Sequence, residues 1–350
     1  MRLACRLRDL REAVGWSQQE LAARAGLSRA LVSAVETARV TPSTAAALAL
    51  ARTFGKPVEE IFSLADAGTP ADWAWPPADL PARYWSADMR GRALLYPCEQ
   101  LGAGPAAHDG VARAVGNETT PPTPVVAKAA HDTPGTLVVA GCDPAAGLLA
   151  AALADRGVRL VAFTRSSQRA LDLLQRGVVH AAGLHLGENR NSVRRQLGSG
   201  FRLLRLAVWE EGLALSHEVG RPRIEPPSLS RLRWVGREEG SGARECIDEL
   251  LQGRRPVGYD RPAADHREVA ALIRGGWADA GVCVRLAAVE AALTFTGVRR
   301  EAYDLCFPAT LEDDTRVLAL CDAVRSRAFR QSLAELPGYD SAETGSVIAA

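Results

Sequence analysis

A chain of 350 residues exceeds what one ordinary hydrophobic core organises, and at roughly 150 residues per domain it divides into two or three units. With 47% hydrophobic and 24% charged residues it has a folded globular composition; no apolar run of about 18 residues occurs, and the start MRLACRLRDLREAVGW alternates charges. Neither a spanning helix nor a secretory signal is expected, and a cytoplasmic protein is. The net charge of +1 is unevenly spread: residues 1–65 hold nine basic against six acidic residues, +3, and the remainder 33 against 35, −2, as a DNA-facing N-terminal module requires.

Leu3, Leu7, Leu10 and Val14 repeat at helical spacing, which predicts a first helix ending at Gly15. Ser17-Gln-Gln-Glu20 is a capping box that opens a second helix, which carries Leu21, Ala22 and Ala25 inward and stops at Gly26. Leu27 and Ser28 open a third helix through Val32 and Val35, and further helices follow over Thr44 to Phe54 and Pro57 through Ile61 and Phe62. Two short helices around a tight glycine turn have the geometry of a helix-turn-helix.

The segment SQQELAARAGLSRALVSAVETARVTPS resembles the Cro/C1 (XRE) repressor type of helix-turn-helix over roughly residues 3 to 64. The resemblance implies an all-α DNA-binding domain whose third helix enters the major groove of an operator while the preceding helix rests on phosphates. By position, Gln18 matches the phosphate anchor, and Ser28, Arg29, Ala30 and Ser33 lie at or near the start of the recognition helix. A guanidinium pairs bidentately with guanine O6 and N7, so Arg29 is the candidate specificity residue; a phosphate contact is the alternative. The family usually has glycine two residues after the glutamate, whereas Ala38 follows Glu36 and Thr37, so a differently shaped turn is expected before Pro42.

Residues 66–135 read as a connector, since nine of the twenty prolines fall between 66 and 130. The stretch GRALLYPCEQ has strand character and predicts a small β-rich piece docked on a neighbour, and TTPPTPVVAKAAHDTPG reads as an exposed extended linker. From Thr136 to Ala350 strand-like runs (TLVVAG, VRLVAF, GVVHAAGLHL, RLRWVGRE, EAYDLCF) alternate with helix-like ones (AAGLLAAALADRG, SSQRALDLLQRG, ARECIDELLQG, REVAALIRGGWADAGV), which predicts a mostly parallel α/β sheet.

The motifs GCDPAAG, FTRSSQRAL, HAAGLHL, GREEGSGARE, GGWADAGV, EAYDL and LPGYD resemble the type II periplasmic-binding-protein superfamily, and within it cytoplasmic modules related to molybdate and tungstate receptors. That resemblance implies two α/β lobes joined by hinge crossings with ligand between them. Loops that leave a strand and open a helix present unpaired amides to an anion, and Asp143, Thr164, Ser166, Ser167, Ser241 and Gly242 occupy such junctions. Arg237 is placed to supply charge, although Glu238 and Glu239 beside it oppose an oxyanion. Asp143 is read either as a turn former or a ligand contact, Ser166 and Ser241 either as helix caps or donors, and Asp279 and Tyr303 either as ligand contacts or hinge locks.

His180 and His185 lie five apart on a strand-like run and so face opposite ways, which argues against joint metal ligation; His185 is assigned to the cleft. GCDPAAG is neither a dinucleotide fingerprint nor a P-loop. The seven cysteines are scattered, odd in number and without a C-x-x-C pair, which indicates neither a disulfide framework nor a zinc ribbon, so no metal or cofactor is expected. The sequence is thus read as a homodimeric, effector-responsive transcription regulator with double-stranded DNA and a small molecule or oxyanion as partners and no membrane association. A regulator whose C-terminal module only dimerises is the first alternative. A hydrolytic enzyme is the second, and it lacks a G-x-S-x-G elbow.

Overall fold

The computed structural model describes residues 3–37, 39–64, 69–70, 72–99, 107–117, 120–126, 135–219 and 224–350. Ala38, and with it the expected change of turn, lies outside them. The chain forms two compact units, one of residues 1–71 and 112–129 and the other of residues 72–111 and 130–350.

In the first unit the short strand β1 (Leu3–Cys5) precedes five helices: α1 (Leu7–Ala13), α2 (Gln18–Ala25), α3 (Arg29–Glu36), α4 (Thr44–Phe54) and α5 (Val58–Ile61). Strand β2 (Phe62–Leu64) then pairs antiparallel with β1. The first helix therefore begins four residues later than its apolar spacing predicts, because residues 3–5 are taken by that strand pair. The capping box is present: Ser17 Oγ accepts from the Glu20 amide at 3.1 Å, and the Ser17 amide donates to Glu20 Oε2 at 2.7 Å. Gly26 ends α2 in the left-handed conformation (φ 65°), where an L side chain is strained, and Ser28 caps α3 through the Leu31 amide. Leu7, Leu21, Val32, Val35, Leu50 and Ile61 fill the core, each such burial contributing about 1.5–3 kcal/mol before chain entropy is counted. Strands β3 (Thr69–Pro70), β6 (Gly110–Asn117) and β7 (Thr120–Val126) follow, with β7 antiparallel to β3 and to β6. Part of the tract expected as an extended linker is thus a strand; residues 127–134 lie outside the described residues.

The second unit starts with the hairpin β4 (Ala82–Met89) and β5 (Arg92–Pro97). Trp85, Ala87, Leu94 and Tyr96 from this hairpin share a buried cluster with Val138, Val161 and Phe163. The first lobe continues with β8 (Thr136–Gly141), α6 (Ala146–Ala154), β9 (Arg159–Thr164), α7 (Ser167–Gln175), β10 (Ala181–Leu184) and α8 (Asn189–Leu197). After the long strand β11 (Phe201–Leu215), the second lobe is formed by α9 (Pro226–Leu229), β12 (Gly236–Arg237), α10 (Gly242–Leu251), β13 (Pro262–Ala263), α11 (His266–Arg274), β14 (Ala280–Val284) and α12 (Arg285–Glu290). The chain returns along β15 (Thr294–Pro308) and closes with α13 (Thr315–Arg325), α14 (Arg327–Ala334), β16 (Tyr339–Asp340) and β17 (Val347–Ala349).

The main sheet runs β14-β11-β15-β10-β8-β9, with β16 and β17 also on β11. Only β10-β8 and β8-β9 are parallel, so the expected mostly parallel sheet is mixed. The antiparallel character comes from β11 and β15, 15 residues each, which pair along their length and run through both lobes. REVAALIRGGWADAGV is not one helix: α11 ends at Arg274, where Gly275 and Gly276 turn the chain into β14.

Candidate functional site

Two regions gather functional side chains. In the first unit, the N-terminal turn of α3 presents Ser28, Arg29 and Ala30 to solvent, with Ser33 half-buried one turn on. Gln18, at the start of α2, is turned inward: its Nε2 donates to Glu36 Oε2 at 2.9 Å, and Arg11 Nε donates to Glu36 Oε1 at 2.6 Å. Gln18 therefore fastens α2 to α3 through Nε2. Ser28 Oγ is engaged as a cap.

The second region is the lobe junction. The first lobe brings Cys142 and Asp143 from the loop after β8, Ser166 and Ser167 from the start of α7, and His185 from the end of β10. The second lobe brings Arg237 from β12, Ser241 and Gly242 from the start of α10, and His266 from the start of α11. Glu211 on β11 and Glu301 and Tyr303 on β15 lie on the strands that connect the lobes. All of these are buried.

His185 is the hub. Its Nδ1 lies 3.0 Å from Glu301 Oε2, and its Nε2 lies 3.1 Å from Cys142 Sγ, which is also 3.8 Å from His266 Nε2. Arg299 Nη2 is 2.9 Å from Glu211 Oε2 and 2.8 Å from Glu301 Oε1. Arg237 Nη1 meets His266 Nδ1 at 3.4 Å. Trp209 packs edge-on against both imidazoles and fixes their planes. Burial opposes a charged His185, yet Cys142 and Glu301 beside it hold its pKa well above the ordinary imidazole value. Burial, with Arg237 and His185 nearby, pushes His266 well below it. Burial and the adjacent Glu301 raise Glu211.

The serines separate into different roles. Ser241 is a helix cap, its Oγ accepting from the Arg244 amide at 3.2 Å and donating to Glu238 O at 2.7 Å. Ser167 Oγ accepts from the His185 amide at 3.0 Å. Ser166 stands at the N-cap of α7 but makes no cap bond, and its buried hydroxyl has no partner among the described residues. Arg237 Nε is likewise buried without a partner. The two sides are apposed: Arg169 pairs with Glu238 at 2.5 Å, which neutralises that carboxylate, and Glu239 is exposed. The expected opposition of Glu238 and Glu239 to an anion is thereby weakened.

The remaining candidates are placed as follows. Asp143 forms a turn through the Ala145 amide and accepts from Tyr339 at 2.5 Å, while Oδ2 is buried without a partner; burial raises its pKa. Gly242 packs so close to His185 and Glu301 that a Cβ there would collide with both. Tyr303 seats its hydroxyl between Gly141 and Gly183, inside the sheet. Thr164 ends β9 opposite Gly141. Asp279 is not brought into this group: its carboxylate pairs with the exposed Arg233, at 2.5 Å, because both follow turns at the edge of the second lobe.

His180 is buried elsewhere, bonded to the Val138 amide and Asp88 O. Glu211, His266, Arg299 and Glu301 were not selected from the sequence. Cys142, His185, His266 and Glu301 meet across 43 to 124 positions of chain, farther than spacing rules reach. The one available signal was the pair of polar residues Glu210-Glu211 inside the apolar stretch FRLLRLAVWEEGLAL. A thiol, an imidazole and a carboxylate in line can activate a nucleophile or hold a metal.

Among known proteins, a helix-turn-helix domain profile matches residues 2–63. The protein called "Uncharacterized protein YvgK" of Bacillus subtilis (strain 168) is 30% identical over 195 residues, covering 51% of this chain and 61% of that protein, so the chain spans less than two thirds of that relative. Similar solved structures include PhnD1 from Prochlorococcus marinus (MIT 9301) in complex with methylphosphonate, 14% identical with a TM-score of 0.43 over 59% of this chain and 93% of that one. A phosphate-bound substrate-binding protein of a putative phosphate ABC transporter from Clostridium perfringens is 12% identical with a TM-score of 0.46, over 59% and 100% of the two chains. The regulatory domain of MetR, a LysR family regulator from N. meningitidis, is 13% identical with a TM-score of 0.44, over 59% and 97%. No helix among the described residues is long and apolar enough to cross a membrane. The profile described as PBP superfamily domain matches residues 150–325, half of the chain, and on that match the chain belongs to the PBP superfamily, with a helix-turn-helix domain preceding it.

Proposed function

We propose that this chain is a ligand-responsive transcription regulator of the Cro/C1 (XRE) kind, in which α3 reads an operator and a small anion at the lobe junction sets operator affinity. The observation that carries the reading is the union in one chain of a capped helix-turn-helix, with Arg29 and Ala30 open to solvent, and a PBP-superfamily domain whose lobes meet on buried, unpartnered Ser166 Oγ and Arg237 Nε. A buried guanidinium without a carboxylate partner is costly, and an oxyanion offsets that cost. The unused N-cap of α7 adds amide donors to the same end of the site. An oxyanion of the molybdate or tungstate class fits this donor set.

Palindromic operators are read by two-fold symmetric proteins, so this reading includes a homodimer acting in the cytoplasm on DNA. It assigns binding rather than catalysis, since Cys142 and His185 are shut away from solvent. Moving such a switch from 1:99 to 99:1 takes about 5.5 kcal/mol of differential affinity.

A second reading, in which the α/β domain only dimerises, is favoured by the tightness of the junction. Ser166, His185, Arg237, Ser241 and His266 are all buried at it, so the lobes must part to admit an effector. Thermal unfolding with molybdate, tungstate, sulfate, phosphate and small organic acids separates the two. A saturable rise in melting temperature, about 2.7 kcal/mol at a hundredfold excess over Kd, supports the regulator, provided it is reduced in Ser166→Ala. No rise with any of them, alongside intact operator binding, supports the dimerisation reading.

A further inference from the structure

We propose that Cys142 Sγ, His185 Nε2 and His266 Nε2 form a binding site for a divalent transition-metal ion of the thiolate- and imidazole-seeking class, Zn²⁺ above all, held across the lobe junction. These three atoms converge from separate loops, two from the first lobe and one from the second, and lie within 4.8 Å of one another. A tetrahedral ion with Zn–S of about 2.3 Å and Zn–N of about 2.0–2.1 Å sets sulfur and nitrogen roughly 3.6 Å apart. The observed separations of 3.1 Å and 3.8 Å bracket that value. Small movements of the rings suffice to seat the ion.

The surroundings favour this trio over the other nearby group. His185, Glu211 and Glu301 also lie within 4.8 Å of one another, but Arg299 already reaches both carboxylates and occupies the place of a cation. Glu301 instead supplies the outer support that a metal-bound imidazole requires: it accepts from His185 Nδ1, which leaves Nε2 directed at Cys142. Trp209 holds both rings from the apolar side.

His266 is less prepared. Its Nδ1 faces the donor Nη1 of Arg237, so the neutral ring carries its proton on Nε2. Binding moves that proton to Nδ1 and displaces Arg237, whose contact at 3.4 Å is long and whose Nε has no other partner. Binding exchanges the proton between Cys142 Sγ and His185 Nε2 for the ion. An ion with three protein ligands keeps an open fourth position. Because the ligands come from both lobes, the ion fastens the lobes together, and this holds whether or not the domain takes an anion or the chain binds DNA.

The test is a titration of the reduced, chelator-treated full chain with Co²⁺, followed by displacement with Zn²⁺. The expected result is a sulfur-to-cobalt charge-transfer band in the near ultraviolet that saturates at one equivalent and is abolished by Zn²⁺. The band disappears in Cys142→Ser and stays in Cys321→Ser, whose sulfur is outside the cluster. His266→Gln weakens binding by more than the roughly 10–100-fold that Glu301→Gln costs through loss of outer support. Absence of the band in the wild-type chain overturns the site, as does its survival in Cys142→Ser. If Cys142→Ser does not fold, an unchanged affinity in His266→Gln overturns the two-lobe site by itself.

Discussion

Arg11 Nε lies 2.6 Å from Glu36 Oε1, and the other oxygen of that carboxylate receives Gln18 Nε2 at 2.9 Å, so one nearly buried acid ties α1 and α2 to the last turn of α3. Removing the acid leaves the Gln18 amide without that acceptor and the Arg11 guanidinium, which also donates to Trp16 O and Glu12, without its buried counter-charge, a loss on the order of 3 kcal/mol in a domain with little to spare. Glu36→Ala is expected to abolish binding to every DNA sequence by loosening α3. Hydrogen exchange over α1 and α3 checks this: unchanged protection of those amides sinks the explanation, whatever happens to DNA affinity.

Arg29 behaves differently, because it is exposed and no partner among the described residues holds it. Arg29→Ala should cost about 1–3 kcal/mol on the operator and leave random-sequence binding and its salt dependence nearly unchanged. Competition binding at two salt concentrations measures both quantities. An equal loss on random DNA reassigns Arg29 to phosphate.

These two positions show what was readable in the chain. Caps, glycine stops and apolar spacing are local, so Ser17, Gly26 and Ser28 placed α2 and α3 closely. The start of α1 was misjudged because strand β1 pairs with a segment some sixty residues away, which no local pattern reports. The loops after β8 and at the starts of α7 and α10 were identified from their residue types, and the structure brings Asp143, Ser166, Ser167, His185, Arg237, Ser241 and Gly242 to one junction. What could not be read is the antiparallel pair β11 and β15. Its strands are buried on both faces through much of their length, so alternation is lost, and the acids Glu211 and Glu301 become neighbours only when those strands pair. Asp279, just before β14, is held by Arg233, a contact across 46 positions that its own segment does not report.

Gly242 opens α10 where a Cβ would collide with His185 O and lie 3.3 Å from Glu301 Oε2, across the junction of the lobes. Its φ is not unusual; the constraint is space alone. Gly242→Ala introduces a methyl group that backbone and carboxylate must both yield to, at a cost of about 1–3 kcal/mol charged against the closed state only. The variant should fold normally yet show a larger radius of gyration in solution scattering and a lower affinity for any ligand that closes the lobes. Wild-type dimensions with unchanged ligand affinity count against Gly242 as the contact that limits closure.

His180 provides a pH dependence that is separate from the junction. Its Nδ1 accepts from the Val138 amide at 2.9 Å and its Nε2–H donates to Asp88 O at 3.0 Å, so the neutral ring satisfies both partners and a proton on Nδ1 would confront an N–H. Burial, reinforced by the nearby Arg316, lowers its pKa to about 4, against the partial opposition of Asp88 and Asp314. In the unfolded chain the ring titrates near 6.5. As pH falls below about 6.5 the unfolded state takes up a proton that the folded state refuses until about 4, so stability present at neutral pH is lost on acidification. Between pH 7 and 5 the loss from this group is about 2 kcal/mol. His180→Asn keeps an acceptor near the Val138 amide and removes the titration. Its urea midpoint should therefore fall less than that of the wild-type chain over the same pH interval, and parallel declines in the two proteins would show that the histidine is not the source of the acid sensitivity.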